Sequence, residues 1–437
     1  GGTKVNIKTP AWGRRAVLWG AALALWSSTA AAEPTALTLE ESISLAMARN
    51  PVLRIAAANE EKAVGAVGEA QAAKGISVDY THTEMRSNAP LSWMSTMAAI
   101  SPYNYFSNKI SASVPLYTGG KLESVIAQAK LGQQVSALEV QAVRQQLQLD
   151  TTVEYYEVLR SGKLLDVARQ TEGDFAGHLK QVRQMYDEGV VAWRDVLQTK
   201  VRLANAENSR VQAENAYQLS QYALNKRIGL PLHGELKLQE QAAQEAPQEN
   251  MAAYVEQGLA KRPEMAQSQA GVVMAKEKIK EARSSKQPSL ALTGSTAWDD
   301  NEAFGGKNRD WTAMLIVQLN LFDSGAAQAK LKQAKAGEAA AREEERQTKD
   351  AISLEISDAH LRVQEALKRI EATRTAVEEA QTNFNISRES YAAGVGTNLD
   401  VMDAEVALQQ AQTNYIQASY DLQISRARLE KAVGQTN

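Results

Sequence analysis

Cysteine is absent from all 437 residues. That excludes disulfide staples, cysteine-held metals and a lipid-modified N-terminal cysteine. Aromatic residues are scarce, at 6 % against 44 % hydrophobic residues, among which alanine is prominent. A compact domain of this length needs more large apolar side chains. Alanine with Glu, Lys, Gln and Arg instead suits long helices packed closely in thin layers. The net charge is −3, so no nucleic-acid partner is expected. Beyond residue 32 no stretch reaches the roughly 18 uncharged apolar residues of a transmembrane helix, so any membrane crossing there must use strands. His82, His178, His233 and His360 are scattered, and no His-Glu-x-x-His, phosphate loop or nucleophile elbow occurs. No catalytic, metal or cofactor site is expected, and no enzyme.

The N-terminal stretch reads as a secretory signal peptide, residues 1–32. Lys4, Lys8, Arg14 and Arg15 precede an apolar run of 11 residues from Ala16 to Trp26, and Ala30 to Ala32 supply the small residues before a cleavage point. The run is too short to span a bilayer.

The remainder is written twice. Tyr186, Gly189, Val190 and Asp195-Val196 recur as Tyr391, Gly394, Val395 and Asp400-Val401, each 205 residues later. The run from Val114 to Gly120 matches Leu319 to Gly325, and Gly229 matches Gly434, at the same offset. Pro51 and Pro263 lie 212 apart, so the copies differ by seven residues near the strand loops. The first copy is 33–249, with strands about 76–117, a helical hairpin about 119–228 and a turned tip about 187–195. The second is 250–437, with strands about 289–322, a hairpin about 325–433 and a tip about 392–400. Thr38-Leu-Glu-Glu41 reads as a capping box. From Gly119 to Glu188 no proline interrupts a helical pattern of ~70 residues, roughly 100 Å of helix. In each copy the two shorter helices sum to nearly the length of the long one, and could stack end to end beside it.

Four strands alternate apolar and polar positions, for example Ile76, Val78 and Tyr80, or Leu315, Val317, Leu319 and Leu321. Trp93, Tyr103, Tyr105, Tyr117, Trp298 and Trp311 sit near strand ends as an aromatic girdle would. Four strands cannot close a barrel, since spanning barrels start at about eight, and open edges find no water in lipid. If the strands enter a membrane, several chains must share one barrel. A soluble sheet capping a helical bundle is the alternative.

Leu37-Thr-Leu-Glu-Glu-Ser-Ile-Ser-Leu-Ala with Asn50-Pro51, Pro115-Leu-Tyr-Thr-Gly-Gly, Leu321-Phe-Asp-Ser-Gly and the two tips together resemble the TolC-like outer membrane factors. The resemblance implies a mainly α chain with membrane β-strands. It implies a homotrimer in the outer-membrane lipid, with a 12-stranded barrel and a coiled-coil periplasmic α-helical tunnel. The implied function is a passive exit duct for a tripartite efflux pump or type I secretion system. Its partners would be a periplasmic adaptor protein and an inner-membrane transporter of RND, ABC or MFS type. A coiled-coil adaptor is the competing function; such adaptors nest one hairpin within β-domains, whereas this chain has two in succession.

The resemblance places the entrance constriction at Asp400 and Asp403, with Asp195 and Tyr391 as gate residues. Asp400 and Asp403 share a helix face, so three chains would crowd six carboxylates around one axis and attract cations. Their plainer role is to complement a helix N-terminus. Gly189, Gly394 and Gly396 are read as tip turns. The family's best-known member carries an arginine where Gly396 stands, so that arginine's gating salt bridge has no counterpart at this position. The run Arg342 to Arg346 is read as a solvated helix face.

Overall fold

The computed structural model describes residues 36–87, 103–240, 250–300, 302, 305–306 and 309–435. The expected signal segment, Trp93 and the strand-loop prolines 90 and 102 lie outside the described residues.

Each copy begins with a short helix and a proline-started second helix: α1 (Leu39–Arg49) and α2 (Pro51–Ala72), then α5 (Met251–Lys261) and α6 (Pro263–Ser284). Each copy ends with a helix of 67 residues and one of 36: α3 (Lys121–Asp187) and α4 (Trp193–Ile228), then α7 (Ala326–Ala392) and α8 (Asn398–Val433). Thr38 opens α1 through the capping box, its hydroxyl accepting from Glu41 N–H while the Glu41 carboxylate accepts from Thr38 N–H.

In the first copy α4 and α2 abut end to end alongside α3. Asn50 makes the joint. Its side-chain oxygen caps α2 at Val52 N–H, 2.9 Å away, and its amide donates to the Arg227 carbonyl at the end of α4, 3.0 Å away. The second copy joins α8 to the α5–α6 junction, where Gln435 donates to Gln257 at 2.9 Å. The residue equivalent to Asn50 is Arg262, whose guanidinium is buried against Glu264 and Glu355.

The strands β1 (Ser77–Ser87), β2 (Tyr103–Tyr117), β3 (Ser289–Asp300) and β4 (Arg309–Gln318) form one antiparallel sheet in chain order. The register pairs Tyr80 with Ile110, Val114 with Leu292, Leu292 with Leu315, and Thr296 with Trp311. One face is therefore apolar across all four strands. The other carries Asp79, Thr81, Lys109, Ser111, Ser113, Ser295 and Thr312. The apolar face is bare: Val78 is 67 % exposed and Trp311 79 %. β1 and β4 each keep one edge unpaired among the described residues. The last strand was expected through residue 322 but ends at Gln318. There the Asp323 carboxylate turns the backbone into α7, accepting from Gly325 and Ala327 N–H at 3.0 and 2.8 Å.

The core is divided. One cluster around Tyr155, Leu224, Ile228 and Leu236 ties α1, α3 and α4 at the joint. A second, around Tyr254, Ile356, Val363 and Leu429, does the same for α5, α7 and α8. A third lies at the far end, where the tips meet. Replacing Asn50 with alanine removes both a cap and the bond to α4. It should cost about 1–2 kcal/mol and speed amide exchange around residues 225–230, which exchange mass spectrometry reads.

Candidate functional site

Both long helices end in the same left-handed turn. Gly189 (φ 75°) and Gly394 (φ 77°) take a backbone conformation that costs other residues roughly 1–2 kcal/mol. Val190 N–H then closes back on the Met185 carbonyl at 2.8 Å, and Val395 N–H on the Ser390 carbonyl at 3.0 Å. Gly396 adds a second N–H to the Ser390 carbonyl, and a Cβ there would lie 3.1 Å from both Ser390 Cβ and Tyr391 N. The position is crowded by its own turn.

The turns bring the two hairpins into contact through Val182, Val196, Phe384, Tyr391, Val401 and Leu408. Inside this apolar contact sits a polar hub. Asn398 is buried; His178 Nε2 lies 2.7 Å from its side-chain oxygen. Its amide donates to Thr199 Oγ1 at 3.2 Å and to the Asp195 carbonyl at 3.3 Å. Thr199 also donates to that carbonyl at 2.8 Å. α3, α4 and α8 are thus pinned by one side chain. Burial lowers the His178 pKa, against an upward pull from Asn398, so the hub's imidazole is favoured neutral.

The four gate residues expected from the sequence gather here in different roles. Asp400 is exposed, and Thr397 engages it: the Thr397 hydroxyl donates to it at 2.7 Å and the Thr397 N–H at 2.9 Å. These bonds hold its pKa below the ordinary value, so it stays ionised as part of a capping box. Asp403 sits 3.3 Å from the Arg202 guanidinium, an exposed ion pair joining the second hairpin to the first. Asp195 is half-buried beneath the hub, to which it offers its backbone carbonyl. Tyr391 is 4 % exposed and packs edge-on to His178 at 5.2 Å between centroids. Its hydroxyl makes no hydrogen bond among the described residues, and burial, then the Asp195 charge, raise its pKa. Sequence reasoning missed Arg202, His178, Asn398 and Thr199. It could have found the Thr397–Asp400 box, which has the Thr-x-x-acid spacing used for Thr38.

Beside the hub, α3, α7 and α8 enclose a cavity of about 210 Å³, lined by Asp174, Phe175, His178, Phe384, Arg388 and Glu405 among others. Among the described residues no group of side chains could hold a metal ion.

Two long helical hairpins meeting tip to tip, with an amphipathic open-edged sheet at the opposite end, define a duct-forming membrane protomer. No described helix is long and apolar enough to cross a membrane. The outer membrane efflux protein family model matches residues 42–230 and 254–435, and the chain belongs to that family. Outer membrane protein TolC of Escherichia coli (strain K12) is 25 % identical over 447 residues, covering 96 % of this chain and 86 % of that protein. The alkaline protease secretion protein AprF of Pseudomonas aeruginosa is 23 % identical, covering 76 % of this chain and 70 % of that one. Among solved structures, the Campylobacter jejuni CmeC outer membrane channel superposes with a TM-score of 0.81 at 17 % identity, covering 91 % of this chain and 87 % of that chain. The chain is therefore an outer-membrane efflux protein, of a family of transport ducts rather than enzymes, and the exit duct prevails over the periplasmic adaptor.

Asn398→Ala leaves His178 and Thr199 without their buried partner. It should destabilise the protein by about 1–3 kcal/mol, read as a lowered unfolding midpoint, whereas Asn385→Ala on the exposed face of α7 should change little.

Proposed function

We propose that three copies of this chain form one duct, closed at the paired tips and opened when an adaptor and an inner-membrane transporter engage them. The observation that carries this reading is the joining of the two hairpins by Arg202 and Asp403 beside the hub. A threefold arrangement would set the exposed carboxylates of Asp400 and Asp403 around the axis. Residues 1–32 serve in this reading as the export signal, and 33–249 and 250–437 as the two repeats. AprF is named for alkaline protease secretion and TtgC of Pseudomonas putida for a toluene efflux pump, so both small-molecule and protein transporters fit as partners.

The Arg202–Asp403 pair is exposed, and such pairs contribute about 0.2–1 kcal/mol. It biases closure, while the buried hub and the contact around Val182 and Val401 hold most of it. Planar-bilayer recordings test this assignment. Arg202→Ala should raise conductance modestly, and Asp400→Ala with Asp403→Ala should weaken cation selectivity and divalent-cation block. Selectivity and block unchanged in the double variant would remove the acidic entrance from the account.

A further inference from the structure

We propose that Glu405 is a proton-controlled latch on the entrance: protonated, it lets α8 seat against α3, and ionised, it repels Asp174 across their shared cavity and loosens the tips. The proposal rests on the reading of the tips as a gate.

Glu405 lies on α8 just beyond Asp403 and is 3 % exposed. Its Oε2 is buried with no hydrogen-bond partner among the described residues. A carboxylate left this way in an apolar contact is costly unless it holds a proton. The cavity wall faces it with Asp174 and His178 from α3 and Arg388 from α7. α4 contributes no lining group, and its nearby cation Arg202 is engaged by Asp403. Arg388 is exposed and rests over the Phe384 ring at 5.6 Å, so it stands at the cavity rim. One rim cation faces two carboxyls.

The direction of the response follows from burial. Burial, then the Asp174 charge, push the Glu405 carboxyl up to about 7 from 4.5, with Arg388 pulling the other way. Burial also raises Asp174, against smaller pulls from Arg388 and Gln170. An acid raised in the folded state supports packing only while protonated. That support is complete below about pH 4.5 and is lost as pH rises through about 7. Burial lowers the His178 pKa, which disfavours its acting as a balancing cation. Neutral to alkaline conditions therefore favour the looser tip.

The test uses the full-length trimer in planar bilayers, titrated from about pH 5 to about pH 8.5. In parallel, spin labels on Lys180→Cys and Ala407→Cys report the α3–α8 separation; the natural chain contributes no cysteine to label. The unaltered Glu405 protein should show conductance rising several-fold, and the label distance lengthening, with a midpoint near neutrality. Glu405→Gln should stay at the low-pH values throughout. Asp174→Asn, which removes the repelling charge, should weaken the transition and move what remains of it to lower pH. Label distances that shift with pH while conductance does not would support the latch and overturn the gate reading. Distances that ignore pH, or that shift equally in Glu405→Gln, would overturn the latch.

Discussion

The structure depends on one unmet requirement, the open edges of its sheet. β1 and β4 each present a row of backbone N–H and C=O groups with no partner among the described residues. In water such an edge is a liability; in hydrocarbon it is prohibitive, because each unpaired group costs several kcal/mol. The register puts Val78, Tyr80, Ile110, Leu292, Leu315 and Trp311 on one bare face, a surface fitted to lipid and not to water. A single chain satisfies neither its edges nor that face. In the proposed assembly, copies joined edge to edge would satisfy the edges, and lipid would cover the face. The same incompleteness runs down the rods, where Val201, Val211, Leu354, Leu361 and Ile386 project without cover.

In the proposed assembly, the helical part would extend the barrel into a duct with a closable end. Thin alanine-rich packing lets two 67-residue helices run its length, each accompanied by two shorter ones meeting at a joint, which Asn50 caps in the first copy and the Arg262 ion pairs hold in the second. Stiff rods carry the position of the sheet to the far tips. There the left-handed glycine turns double each rod back, and the returning helices meet around Asn398. Apolar contact supplies the adhesion, and the polar hub fixes its register. A buried hydrogen-bonded side chain tolerates few alternative alignments of three helices. The charged groups lie at the surface of this contact, where Arg202 and Asp403 pair across the two hairpins.

Much of this was legible in the sequence because it depends on local signals. The duplication, the long proline-free run, the glycine turns and the alternating strands are each written within short windows. The hub was not legible, because His178 and Asn398 are 220 residues apart and only the tertiary meeting of α3 and α8 joins them. Histidines that looked scattered proved to be packing partners, His178 against Tyr391 and His360 against Tyr254. Asp400 and Asp403 were read as sharing one helix face, with helix capping weighed beside an acidic ring. One carboxylate is committed to its own helix cap and the other to Arg202. Nothing in the sequence marks Glu405, since its burial depends on the packing of α8 against other helices.

The closure of the sheet by other copies of the chain is the central claim, and the mass of the assembly tests it most directly. Native mass spectrometry of the protein extracted from outer membranes should give three copies of the chain, falling to one copy only when the strands unfold. A stable, folded single copy in detergent or in solution would contradict it.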